Sequence, residues 1–129
     1  MTRDMDLIRE LLLKLEALPL RPGSILHITP DADEIAVSGY SADQIEYHAS
    51  LIREAGFIED GGVRPMVGFG FRRLTWEGHD FLDSVRDPAI WAKTKNGAFA
   101  AGGFTVDLLK DLAKGFVKKQ IEDRTGIKI

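Results

Sequence analysis

His27, His48 and His79 are the residues of this sequence best suited to hold a metal or move a proton. Zinc would need two or more of them to meet with a carboxylate. No pair has the i,i+4 or His-Glu-x-x-His spacing, so each is expected in a structural or hydrogen-bonding role. Gly68-Phe69-Gly70 has part of a phosphate-binding loop but lacks its third glycine. It also lies in a strand-like stretch, where no helix dipole can receive a phosphate. Gly39-Tyr40-Ser41-Ala42-Asp43 lacks the second glycine of a nucleophile elbow. Glu77, Asp80 and Asp83 share i,i+3 spacing on one helix and read as a solvated face. With no cysteine, thiol nucleophiles, disulfides and cysteine-ligated zinc are excluded. The expectation is a protein that is not an enzyme and has no metal or cofactor.

The elements that would position these residues are marked by local signals. Met5, Ile8, Leu11, Leu12, Leu15 and Leu18 recur at helical spacing over residues 4–18, with Asp4 as cap and Pro19 as stop. Residues 24–28 and 35–37 read as short strands, separated by the turn formers Thr29 to Asp33. Ser41 and Gln44 have capping-box spacing, flanked by Tyr40 and Ile45 at the positions of a hydrophobic staple, so a helix begins there; Gly56 ends it. Residues 57–59 and 66–74 form strands around the turn Asp60-Gly61-Gly62, and Thr75 caps a helix over 76–85. Asp87 and Pro88 start a short turn containing Ile90 and Trp91. Residues 94–103, rich in glycine and alanine, read as a flexible connection. A final helix runs from Thr105 to about Glu122.

At 129 residues, 44% hydrophobic and 29% charged, the chain has the composition of one ordinary globular domain. Its longest apolar stretch is far too short to cross a bilayer, and no secretory pattern opens it, so the cytoplasm is the expected location and no membrane partner is expected. Residues 1–103 carry 11 Lys/Arg against 16 Asp/Glu, while residues 104–129 carry 6 against 4. The basic excess lies in the tail, the opposite of a core that is one large nucleic-acid footprint.

The order of helix, short strand, capped helix ending Leu51-Ile52-Arg53-Glu54-Ala55-Gly56-Phe57-Ile58, hairpin, and Leu74-Thr75-Trp76-Glu77-Gly78 resembles a winged helix. The fold expected is therefore α+β: a winged-helix-like domain with a β-hairpin wing over 1–93, the connection at 94–103, and an additional C-terminal amphipathic helix and tail over 104–129. More specifically, Arg3-Asp4-Met5-Asp6-Leu7-Ile8-Arg9, Gly39-Tyr40-Ser41, Tyr47-His48, Leu74 to Asp83 and Ile90-Trp91 resemble domain-of-unknown-function family 2513. Members of that family are mostly small bacterial, phage and prophage proteins. The resemblance implies a phage-type origin and no particular activity. One departure from DNA-binding winged helices stands out: strand and turn signals occupy residues 18–41, where the supporting helix of a helix-turn-helix should lie.

Two functions follow from this reading. The preferred one is a DNA-binding regulator, in which Arg64, Arg72 and Arg73 of the wing, with Arg53, contact phosphates. Four such contacts would give a salt slope near about −3.6 per protomer. Against it, the outward face of the capped helix carries Asp43, Glu46 and Glu54 beside one arginine. The same arginines are equally well placed to pair with carboxylates of their own chain. The alternative is a protein-binding adaptor or inhibitor that does not bind DNA, using the wing or the acidic helix as contact face. Leu108, Leu109, Leu112, Phe116 and Val117 of the last helix either dock on the chain itself or pair two chains into a homodimer.

Overall fold

The computed structural model describes residues 1–100 and 105–128. Among them the chain is α+β, with five α-helices, one 3-10 turn and two small antiparallel sheets. It falls into two compact units, Met1–His79 and Asp80–Ile129.

In the first unit, helix α1 (Met5–Glu16) buries Leu7, Ile8, Leu11, Leu12 and Leu15 along one face. It packs against helix α2 (Ala42–Glu54), whose Ile45, Ala49 and Ile52 are buried in turn. The ends of α2 follow the sequence signals. The Ser41 hydroxyl accepts from Gln44 N–H at 3.2 Å, and the Gln44 side chain accepts from Ser41 N–H at 2.8 Å. At the other end Gly56 takes a φ of 76°, so that Gly56 N–H reaches Arg53 O and Phe57 N–H reaches Ile52 O.

Strand β1 (Leu26–Ile28) pairs with β3 (Phe69–Phe71), and β2 (Ile58–Glu59) pairs with β4 (Arg73–Leu74), both antiparallel. Three expectations change here. Residues 35–37 do not form a strand. A 3-10 turn (Asp33–Ile35) holds that place, because consecutive turn bonds from Ala32 N–H to Thr29 O and from Ile35 N–H to Ala32 O coil the backbone, and Ile35 is buried. The strand read over 66–74 begins only at Phe69. Gly68 has a φ of 79°, and a Cβ on it would overlap the Ile28 carbonyl oxygen. Finally, the hairpin of 57–59 with 66–74 is paired only at its base, because Phe69 to Phe71 are taken by β1, leaving residues 60–68 as a loop.

Asp4 ties α1 to α2. Its Oδ1 accepts from Asp6 N–H at 2.9 Å and Leu7 N–H at 3.3 Å, capping α1. Its Oδ2 accepts from the Tyr40 hydroxyl at 2.7 Å, and its own N–H donates to His48 Nε2 at 2.8 Å. His48 Nδ1 lies 2.7 Å from Gln44 O, which only a protonated Nδ1 can satisfy, so the network assigns the neutral Nδ1–H tautomer. The bond to the Asp4 carboxylate, then burial, then the charges of Asp4, Asp6 and Glu10 push the Tyr40 phenol from 10.0 up to about 12. Because the folded value lies above the unfolded one, this contribution to stability is complete below pH 10 and is lost as pH rises towards about 12. In melts over that range Tyr40→Phe should lose less thermal stability per pH step than the native chain. Parallel slopes would contradict the assignment.

The boundary between the units falls within helix α3 (Trp76–Val85), capped by the Thr75 hydroxyl on Gly78 N–H at 3.1 Å. In the second unit, helix α4 (Pro88–Ala100), capped by Asp87, replaces the short turn expected at Ile90 and Trp91. It also continues through residues 94–100, where a flexible connection was expected. The small residues there form a helix-packing surface: Leu112 of helix α5 (Val106–Thr125) comes to 3.4 Å of where a Gly97 Cβ would be. Residues 101–103, the rest of that expected connection, lie outside the described residues. Phe116 lines a cleft with Ala89, Ile90 and Lys93, so α5 runs antiparallel to α4.

Candidate functional site

The four arginines expected at a contact surface are not one patch. Arg73 clamps Glu59, with Nε and Nη2 each 3.0 Å from a carboxylate oxygen. This fork holds the Glu59 carboxyl below its usual range and raises the Arg73 guanidinium further. Arg72 reaches the same carboxylate only at 3.7 Å, too long for a hydrogen bond. Arg64 stands 76% exposed on the loop, 3.5 Å from Asp60. Arg53 lies apart, in the last turn of α2. Acidic residues of the same hairpin thus face Arg64, Arg72 and Arg73, a pairing the sequence offered through the adjacent Glu59 and Asp60.

The outward side of α2 keeps Asp43, Tyr47, Ser50 and Glu54 exposed. Glu46 is committed elsewhere, its carboxylate accepting from Gly68 N–H at 3.0 Å and holding the end of the 60–68 loop. On that loop Val63, Val67 and above all Met66, wholly exposed, leave apolar surface in water. Ile25, also exposed, lies against the Gly61 turn, and His27 Nε2–H donates to Val67 O at 2.8 Å, so β1 borders the loop.

The histidines stay apart: His27 on β1, His48 buried between α1 and α2, and His79 3.7 Å from Glu16. Among the described residues no cluster of three His, Asp or Glu has the arrangement to hold a metal ion, and no buried side-chain nitrogen or oxygen lacks a hydrogen-bond partner. No helix among them is long and apolar enough to cross a membrane. On α5, Leu109 is buried, Leu112 meets Gly97 and Phe116 lines the cleft with α4, while Leu108 and Val117 are half-exposed.

Sequence reasoning missed a cleft of about 370 Å³ in the first unit, where Arg72 and Arg73 meet Arg21 and His79 above Leu18, Leu20 and Leu74. Leu18 and Leu20 also line a second cleft, of about 520 Å³, with Leu26 and Ile28. No local signal marks the first, because its walls come from segments some fifty residues apart in sequence, whereas the second is lined by the single stretch from Leu18 to Glu34.

What these features define is a small α+β protein of five helices and two antiparallel sheets among the described residues. The chain belongs to domain-of-unknown-function family 2513, described as "Hypothetical protein (DUF2513)", which matches residues 2–104. It is similar to an uncharacterised protein of Haemophilus influenzae strain Rd, 32% identical over 124 residues that cover 94% of this chain and 99% of that protein. No solved structure matches it significantly.

Proposed function

We propose that the protein is a non-enzymatic binding module of winged-helix type, whose wing contacts a protein partner. The observation that carries this reading is that Arg73 is clamped on Glu59 and Arg64 stands against Asp60, while the 60–68 loop offers Val63, Met66 and Val67 to solvent. Affinity for DNA comes largely from cations that neutralise phosphates. The first unit carries 8 Lys/Arg against 13 Asp/Glu, and phosphate on Arg73 or Arg64 would have to displace Glu59 or Asp60. An exposed apolar loop instead suits burial against another protein, and Trp76, 80% exposed on α3, offers an aromatic anchor of the kind that dominates such contacts.

A DNA-binding regulator, of phage type or otherwise, is the second reading. Favouring it is the pairing of β1 with the strand that returns from the wing, the arrangement of winged-helix proteins. A homodimer through α5 has less apolar surface to draw on than the bare sequence implies, since Leu109 is buried and Leu112 and Phe116 face α4.

A photo-crosslinking residue placed at Met66 in cells of the source organism should give a discrete protein adduct that disappears with Val67→Asp and is absent from position Asp31. In parallel, mixed duplex DNA should be retained weakly. Salt-sensitive retention that falls when Arg64, Arg72 and Arg73 become alanine would instead establish the DNA reading.

A further inference from the structure

The two clefts that share Leu18 and Leu20 differ in chemistry. One has an apolar floor beneath Arg21, Arg72, Arg73 and His79, with Glu16 as the acidic residue of its lining. The other is walled by Pro19, Leu26 and Ile28, with Glu34 in its lining. On a unit with five more acidic than basic residues, three arginines at one cleft reverse the charge locally.

The donors there are only partly used. Glu59 occupies the Nε and Nη2 edge of Arg73. Arg72 makes only its 3.7 Å approach to Glu59, and Arg21 is exposed with no ion-pair partner among the described residues. The clamp on Glu59 also shows which anion suits this place, since a guanidinium fork fits a planar carboxylate with two parallel bonds. An isolated anion would need only the cationic cleft. Because the two clefts share Leu18 and Leu20, a ligand spanning both would meet cationic and apolar surroundings along its length.

We propose that the two clefts together form a groove for an extended peptide segment of a protein partner, with apolar side chains in the Leu26 and Ile28 compartment followed by carboxylates on Arg21 and Arg72. Glu16 and Glu34 also line the two clefts and repel carboxylates, so the acidic residues of the segment must sit on the arginine side, away from both. The groove uses different residues from the wing tip, so either contact can fail without the other.

Amide chemical shifts of the full chain, titrated with acetyl-Leu-Val-Leu-Glu-Glu-amide, test this. The resonances of Leu18, Leu20, Ile28, Arg72 and Leu74 should move together. The matching Leu-Val-Leu-Gln-Gln peptide should bind about tenfold more weakly, a difference of one charge-assisted contact. Arg21→Ala with Arg72→Ala should erase that difference while leaving the melting temperature within a few degrees of native, because both side chains are exposed. Equal binding of the two peptides, an unchanged preference in the double variant, or absence of shifts at the groove would overturn the proposal. So would inorganic phosphate reproducing the whole pattern, which would reduce the groove to a simple anion site. A null result here together with an adduct from Met66 would leave the wing contact intact.

Discussion

Replacing Gly78 by alanine should destabilise the first unit severely, although alanine is the better helix former by about 1 kcal/mol. Gly78 sits in the first turn of α3, where the helix lies directly against the backbone of Phe57. A Cβ there would overlap the Phe57 carbonyl oxygen and stand 3.0 Å from its carbon. The obstacle is main chain, not the far end of a flexible side chain. That carbonyl is also fixed by the N–H of Thr75 at 2.9 Å, and the Thr75 hydroxyl donates to Gly56 O beside it. Neither side can yield without opening the junction between α2, β2 and α3. A net loss of about 3 kcal/mol is expected, at the upper end for overpacking. Denaturant unfolding of the G78A chain checks it, and a loss below about 1 kcal/mol would mean that α3 can slide away from Phe57.

The second large effect concerns His48. Truncation to alanine removes a ring that is 2% exposed, opening a cavity between α1 and α2, and strips the Asp4 N–H of its acceptor. Cavity and orphaned donor together should cost about 2–4 kcal/mol. His48→Phe separates the two terms, since it refills the space without restoring an acceptor, and should recover part of the loss. If phenylalanine restored native stability in full, the hydrogen bonds of the ring would be incidental.

The contrast between these two sites shows what the bare sequence discloses. Asp4, Ser41, Gly56, Thr75, Asp87 and Thr105 were all readable as helix ends, because a cap is made between a side chain or a glycine and backbone only a few residues away. Gly78 stood in the sequence only as part of a motif, with nothing to say that Phe57 is what approaches it. His48 looked like any helical histidine until Asp4, 44 positions earlier, came to meet it.

The same division explains the misread elements. Ile35 and Val37 are apolar and β-branched enough for a strand, but burial of Ile35 and the turn bonds around Ala32 coil them. Gly97 and its alanine neighbours look like a linker, because helical periodicity is blurred where small residues are selected for contact with α5. Arg64, Arg72 and Arg73 were visible as residue types. Whether they were available was not, since that depends on the register that sets Glu59 opposite Arg73.

That register, and the pairing of Leu26 with Phe71, carry a consequence for how the chain reaches its structure. The antiparallel packing of α4 on α5 joins neighbours in sequence, so the entropy lost in closing the loop between them is small. The first unit must bring residues more than forty positions apart together before β1 has a partner or the Asp4 N–H an acceptor. Its rate-limiting step should therefore be loop closure. On the ribosome β1 stays unpaired until Phe71 has emerged, an interval in which its Leu26 and Ile28 are open to other chains.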